Sequence, residues 1–162
     1  MRKWLFPGIA ALVVAISAIT GTKVTGSEQR GGTPADRDRF IGAWRLISLE
    51  ERSADGTVHK ADATGQFVFS RDGHTSVQVM YRNAGTATSP VPTQYAQGGY
   101  EATFGRYELD ERAKTFTVHV EGALVRSLVG KDLPRLYELS GNQLVVKPSN
   151  PDEHWRVMWQ RY

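Results

Sequence analysis

One stretch of the sequence places a cation and an aromatic hydroxyl on the same face of a predicted strand. Leu133, Arg135, Tyr137 and Leu139 alternate along it and therefore point to one side. If the apolar members face a core, Arg135 faces it too, and a buried guanidinium needs an anionic partner such as a carboxylate. Arg135 and Tyr137 are thus candidate ligand-binding residues. The alternative is that Arg135 lies at the rim, solvated or paired with a neighbouring strand.

A second candidate pair, His119 and Glu121, also shares one face of a predicted strand. A histidine beside a carboxylate could act as general base and general acid. The opposite face carries Phe116, Val118 and Val120, which favours an arrangement in which those three residues face the core and the pair faces solvent. If both faces are covered, the pair instead reaches the interior as a proton-transfer site, and His119 becomes a candidate ligand contact.

Other catalytic and cofactor signatures are missing from the chain. It has no cysteine, which excludes disulfides, thiolate zinc sites and a thiol nucleophile. The four histidines show no metal-binding spacing, and no nucleophile elbow, phosphate-binding loop or dinucleotide fingerprint occurs. We therefore predict no cofactor and no metal site.

The elements that would position these residues are short strands. Alternating apolar and polar residues, separated by tight turns, predict strands at 44–52, 66–70, 74–81, 102–109, 115–121, 133–139, 143–147 and 155–162. The count is eight if Val58–Lys60 is the ragged end of a long first hairpin. Such spacing predicts an all-β domain, either a sandwich or an up-and-down antiparallel barrel, and eight strands can enclose one small ligand.

Two segments depart from this pattern. Thr33-Pro34-Ala35-Asp36 has the residue types of a helix start, and a short helical turn is predicted from there to Ile41, ending at Gly42. Residues 82–99 form a polar insert that contains prolines. In a barrel such an insert could cover one mouth, or it could be a mobile surface loop.

The first 26 residues have the pattern of an export signal. Basic Arg2 and Lys3 precede an apolar run at 4–19, which is shorter than a typical membrane-spanning helix. The predicted organisation is a signal peptide or uncleaved membrane anchor at 1–26, a flexible polar linker at 27–37 and a β-barrel domain at 38–162. Either form of the leader places the domain in the periplasm or outside the cell.

The basic charge of the chain belongs to this leader. The chain has 20 Lys and Arg against 17 Asp and Glu, a net charge of +3. Arg2, Lys3 and Lys23 all precede the predicted domain, so the remainder is formally neutral and has no basic cluster. We therefore predict no nucleic-acid partner, and membrane contact only through the leader if it is not cleaved.

Five ordered segments resemble the bacterial lipocalin-like domain family, a group of calycin-type β-barrels. They are Phe40-x-Gly42-x-Trp44-Arg45-Leu46, Ser70-Arg71-Asp72-Gly73, Gly105-Arg106-Tyr107-Glu108-Leu109, Val118-His119-Val120-Glu121-Gly122 and Val157-Met158-Trp159-Gln160-Arg161. The resemblance implies an eight-stranded lipocalin-like barrel with a short N-terminal helical turn. It brings no catalytic residues with it.

The resemblance also implies a structural role for Gly42, Trp44 and Arg161. In lipocalins the tryptophan of the Gly-x-Trp element closes the narrow end of the barrel beneath a cation from the last strand, and Arg161 fits that place. Arg135-Leu136-Tyr137 is similar to the Arg-x-Tyr carboxylate clamp of fatty-acid-binding proteins. Tyr107, in a matched segment, is a further candidate ligand contact.

The function predicted from the sequence is binding of a small hydrophobic or amphipathic ligand, with a carboxylate as the polar group that Arg135 would suit. One alternative is a small isomerase, cyclase or hydro-lyase that uses His119 and Glu121 inside the lumen. The other is a filled barrel that acts as a protein-interaction module.

Overall fold

The structure, a computed structural model, describes residues 35–83 and 94–162. The predicted leader, most of the linker and the middle of the 82–99 insert lie outside these residues. Within them the chain forms α1 (Asp36–Phe40), β1 (Gly42–Arg52), β2 (Val58–Lys60), β3 (Ala63–Phe69), β4 (His74–Tyr81), β5 (Tyr100–Asp110), β6 (Thr115–Ala123), a 3-10 turn (Arg126–Leu128), β7 (Asp132–Ser140), β8 (Gln143–Pro148) and β9 (Trp155–Arg161). No helix among the described residues is long and apolar enough to cross a membrane.

Eight of these strands close a barrel. From β3 to β9 each strand pairs antiparallel with its neighbour in sequence, and β1 pairs with both β3 and β9. The predicted eight-stranded up-and-down barrel is therefore confirmed, and the sandwich alternative is excluded. β2 is a separate short strand that pairs only with the far end of β1, from Glu50 to Arg52, and is not one of the eight.

The helix lies at one end of the barrel and is bound there by residues from distant turns. It begins at Asp36 with Ala35 as its N-cap, two residues later than a start at Pro34 would place it. Its first backbone N–H groups donate to the Glu111 carboxylate, at 2.9 Å from Asp36 N and 3.4 Å from Arg37 N. Glu111 thus supplies the capping oxygens that no residue at the start of the helix provides.

Asp36 is the central hydrogen-bond acceptor of this end. One of its carboxylate oxygens accepts from Lys114 Nζ at 2.6 Å and from the Tyr137 hydroxyl at 2.8 Å, and the other accepts from Arg39 at 3.1 Å. The hydrogen bond from Lys114 is the largest cause that holds the pKa of the buried Asp36 carboxyl below its usual range, against the effect of burial. The helix is therefore fixed to the barrel by a charged and well-paired group.

Below the lumen, aromatic rings fill the barrel at the helix end. We call Phe40, Phe69, Phe116 and Tyr137 the aromatic floor. Phe40 contacts the other three with centroid separations of 4.8–5.6 Å, in edge-to-face geometry. These rings close this end of the barrel to solvent.

The Gly-x-Trp element and the last strand complete the closed end. The Arg161 guanidinium lies 4.4 Å from the Trp44 ring centroid and donates to the backbone carbonyls of Ile41 and Arg39. Gly42 adopts φ +129, and a Cβ there would come within 2.6 Å of the same guanidinium. Glycine is therefore required at this position both by the backbone and by the space that Arg161 occupies.

Replacing Asp36 with asparagine should weaken the attachment of the helix. We expect Asp36→Asn to lower the free energy of unfolding at pH 7 by about 1.5–3 kcal/mol, as for other hydrogen bonds to a charged group. The lowered pKa means that this contribution is present above the unfolded-state pKa of about 3.9 and is lost as the pH falls through the folded-state pKa. The difference between the two proteins should therefore shrink as the pH is lowered past about 4.

Urea denaturation at several pH values measures this difference. Asp38→Asn is the matched control, because Asp38 is exposed and its carboxylate forms only a long ion pair, at 3.9 Å, with exposed Arg71. The control should stay close to the wild type. A constant difference from pH 7 to pH 3 would contradict the role given to the Asp36 carboxylate.

Candidate functional site

A cavity opens in the half of the barrel above the aromatic floor. About 70 Å³ of it is accessible to the centres of water molecules, and the concavity including its solvent-open part is about 640 Å³. Apolar and aromatic side chains form most of its wall: Leu49, Phe67, Val77, Val79, Tyr95, Phe116, Val118, Leu133, Val146, Trp155, Val157 and Trp159. The polar wall residues are Glu101, Thr103 and Arg135. The lumen is therefore not completely filled, whereas the interaction-module alternative requires a filled barrel.

Arg135 is held in the cavity wall by aromatic rings. Its guanidinium carbon lies 4.9 Å from the Tyr95 ring centroid and 5.0 Å from that of Trp155. It donates one hydrogen bond, at 2.9 Å, to the carbonyl of Pro134. No carboxylate in the described part of the chain forms an ion pair with it. The guanidinium is oriented by cation–π contacts, and Glu153 is close enough to interact with its charge without forming an ion pair.

A carboxylate at the rim holds these two rings in place. Glu153 accepts hydrogen bonds from the Trp155 indole at 2.7 Å, the Tyr95 hydroxyl at 2.8 Å and Gln94 at 3.2 Å; we call this group the rim cluster. Burial alone would raise the pKa of the Glu153 carboxyl, but the hydrogen bonds from Trp155 and Tyr95, together with the nearby Arg135 charge, outweigh it, and the pKa is lowered. The rim cluster therefore fixes the surfaces on which Arg135 stacks.

Glu101 is the second ionisable group of the cavity. It lies near the start of β5 and is half-buried, and no described residue forms an ion pair or hydrogen bond with its carboxylate. Burial raises the pKa of this carboxyl to about 7, although the Arg135 charge acts to lower it. The cavity thus contains one cation and one carboxyl that protonates near neutral pH.

Two buried donors near the cavity have no acceptor among the described residues. They are the Trp159 indole N–H, in the cavity wall, and the hydroxyl of Tyr81 on β4. Burial, followed by the charges of Glu101 and Glu51, raises the pKa of Tyr81 well above its usual range, so its hydroxyl stays protonated. An unsatisfied buried donor costs about 1–3 kcal/mol.

The ligand-binding residues predicted from sequence separate by depth along the barrel. Arg135 lines the cavity, on the face shared with Leu133. Tyr137 lies deeper on the same face, where it is 3% exposed and donates to Asp36 rather than facing the cavity. Tyr107 packs against Phe69 with centroids 5.1 Å apart, and its hydroxyl donates to the Ser70 carbonyl at 3.2 Å. Neither tyrosine lines the cavity.

His119 and Glu121 lie on the outer face of β6. Val118 and Val120, on either side of His119, are buried, so the alternation turns His119 and Glu121 away from the lumen. His119 Nδ1 is 2.8 Å from Asp132, and the Glu121 carboxylate is 3.2 Å from Arg106. The acid–base pair proposed for the lumen therefore does not form there, and His119 is not a cavity contact.

Sequence reasoning missed most of the site beyond Arg135. Glu101, Tyr95, Glu153 and Trp155 were not named as site residues, although period-two alternation within β5 puts Glu101 on the same face as Thr103. No group of three metal-ligating side chains occurs within residues 35–83 and 94–162.

The lipocalin-like domain family matches the chain over residues 41–162, which confirms the resemblance drawn from the sequence motifs. The chain is similar to solved structures of a lipocalin-like protein from Bacteroides uniformis (18% identity, TM-score 0.46, covering 76% of this chain and 98% of that one) and an uncharacterized protein from Bacteroides eggerthii (14%, 0.45, 76% and 99%). A variant of the fluorescent protein UnaG is also similar (11%, 0.38, 76% and 96%). No curated protein matches the chain.

Removing the central carboxylate of the rim cluster should loosen the cavity wall. We expect Glu153→Ala to lower the free energy of unfolding by about 1–2 kcal/mol, since two buried donors lose a charged acceptor. It should also change the near-ultraviolet circular dichroism of Trp155 and Tyr95. Asp152→Ala is the matched control, on an exposed neighbour whose side chain forms no hydrogen bond or ion pair within the described residues. Equal effects of the two substitutions would contradict the role given to Glu153.

Proposed function

The chain belongs to the lipocalin-like domain family, and from that premise we propose that its barrel binds a small, largely apolar ligand whose carboxylate contacts Arg135. The observation that carries the proposal is a guanidinium in an apolar cavity wall with no ion pair among the described residues. A partly buried charge of this kind is stabilised by an anion that can accept two parallel hydrogen bonds. The apolar wall would bury the rest of the ligand.

The cavity volume limits the size of the ligand. The part of the cavity open to water centres is about 70 Å³, and the rest of the concavity is open to solvent. The enclosed space therefore suits a small ligand. Medium-chain or small aromatic carboxylates fit this size better than long-chain fatty acids.

The acid–base alternative lacks geometric support. His119 and Glu121 lie on the outer face of β6 and bind different partners, Asp132 and Arg106. A shared substrate inside the cavity could not contact both.

Titration with octanoate tests the proposal. We expect the wild-type protein to bind octanoate with quenching of tryptophan fluorescence, because Trp155 and Trp159 line the cavity. Arg135→Met should weaken binding at least about tenfold, equivalent to about 1.4 kcal/mol. Arg106→Met removes a guanidinium from the outer face of β5 and should leave the affinity unchanged. Native mass spectrometry of the purified protein would detect a ligand that is retained.

Two results would overturn the proposal. One is the absence of binding by medium-chain carboxylates together with the absence of any retained ligand. The other is equal octanoate affinity in the wild type and in Arg135→Met, with both proteins folded.

We further propose that the barrel works outside the cytoplasm. The support is the basic and apolar pattern of residues 1–26 and the neutral charge of the remainder. When the full chain is expressed in a bacterium, we expect it in the periplasmic fraction at a mass reduced by the leader. An uncleaved anchor would instead retain the full mass in the membrane fraction, and a chain lacking residues 2–19 should stay in the cytoplasm. Full-length protein in the cytoplasm would contradict export.

A further inference from the structure

Arg135 and Glu101 are two ionisable groups of opposite charge type that line one cavity without pairing. Within residues 35–83 and 94–162, no side chain forms a salt bridge with Arg135 or with Glu101. Arg135 lies on β7 and Glu101 lies on β5. The Arg135 charge acts to lower the pKa of Glu101, yet the guanidinium and the carboxylate do not come within 4.0 Å of each other. A gap between a donor and an acceptor is the arrangement that a bridging ligand group would complete.

We propose that Arg135 and Glu101 bind the two sides of one ligand head group, with Arg135 donating to it and Glu101 sharing a single proton with it. This inference rests on the proposed function and adds a second polar contact to it. For a carboxylate ligand the pair then contains two carboxyl groups, one from the protein and one from the ligand. Two carboxylates in contact do not both ionise, so the complex retains one proton between them.

The consequence is a link between binding and proton uptake. Octanoate is ionised at neutral pH, so Glu101 must supply the shared proton. Free Glu101, with its pKa raised to about 7, is protonated below that pH and must take up a proton from solvent above it. Octanoate binding should therefore weaken with rising pH by close to tenfold for each unit above about 7.5.

A primary amide reverses the requirement. Its carbonyl accepts from Arg135 as a carboxylate does, but its N–H₂ group donates and suits ionised Glu101. Octanamide has the same chain and nearly the same shape as octanoate, so it should bind with an affinity that does not fall as the pH rises. Opposite pH dependences of octanoate and octanamide binding would identify Glu101 as the residue that contacts the head group.

Other titratable groups near Glu101 do not account for this behaviour. Tyr81 on β4 has a strongly raised pKa and stays neutral across the range, and Glu51 on β1 acts on Tyr81. Tyr95, beside Arg135, also has its pKa raised, chiefly by burial. Glu153 has a lowered pKa, to which the Arg135 charge contributes, and stays ionised from pH 6 to pH 9. The inward residues of β6 are apolar: Phe116, Val118 and Val120.

The experiment is calorimetry with octanoate and octanamide from pH 6 to pH 9. Titrations at pH 8 in two buffers of different ionisation enthalpy give the number of protons taken up, which should be close to one for octanoate and zero for octanamide. In Glu101→Gln, the octanoate affinity should lose its pH dependence and its proton uptake. Glu108→Gln, on the outer face of the same strand, should behave as the wild type.

The possible results are distinguishable. If both ligands bind and Arg135→Met weakens them, but octanoate takes up no proton at pH 8, the shared-proton contact is wrong and the proposed function stands. The same conclusion follows if Glu101→Gln keeps the wild-type pH slope. If neither ligand binds the wild type at any pH, this inference fails, and the proposed function fails with it when native mass spectrometry also shows no retained ligand. The proton count is measured on the wild type, so the test does not depend on the folding of a variant.

Discussion

Pairing of β1 with β9 is the constraint on which the other features of the domain depend. It satisfies the backbone donors and acceptors of the two strands that would otherwise be edges, and so it creates an interior with two ends. At one end Arg161 stacks on Trp44 and binds the carbonyls that lead into β1. The cavity lined by Arg135 and Glu101 lies beyond the aromatic floor that seals this end.

The two ends of the barrel use charge differently. At the closed end, Asp36 is buried with Lys114, Arg39 and Tyr137 around it, and its charge is compensated inside the protein. In the cavity, Arg135 is oriented by aromatic rings rather than by a carboxylate. The first arrangement stabilises the fold, whereas the second leaves electrostatic free energy to be gained by a complex.

The sequence predicted the barrel well because its signals are local. Alternation and turn residues located all eight barrel strands, and the shared face of Leu133 and Arg135 was correct. Alternation also favoured an outward His119, as the buried Val118 and Val120 now show. Periodicity identifies the face of a strand but not the depth along the lumen, which is why Tyr137 could not be separated from Arg135.

The rest of the site depends on contacts between residues that are far apart in the chain. Tyr95 and Glu153 are 58 positions apart and meet only because an insert and the approach to the last strand converge at the rim. Glu101 carries no motif, and its significance comes from burial opposite Arg135. Neither property can be derived from the order of residues without the closed barrel.

Attachment of α1 to the end of the barrel has a consequence for the order of folding. Asp36 lies 78 positions from Lys114 and 101 from Tyr137, and Arg161 binds a carbonyl 120 positions away. Contacts over such separations form late, because the entropy of closing a long loop must be overcome before they contribute. Strand hairpins with short turns can assemble earlier. We therefore expect the closed end to form late, when α1 brings Phe40 onto the rings that the strands carry.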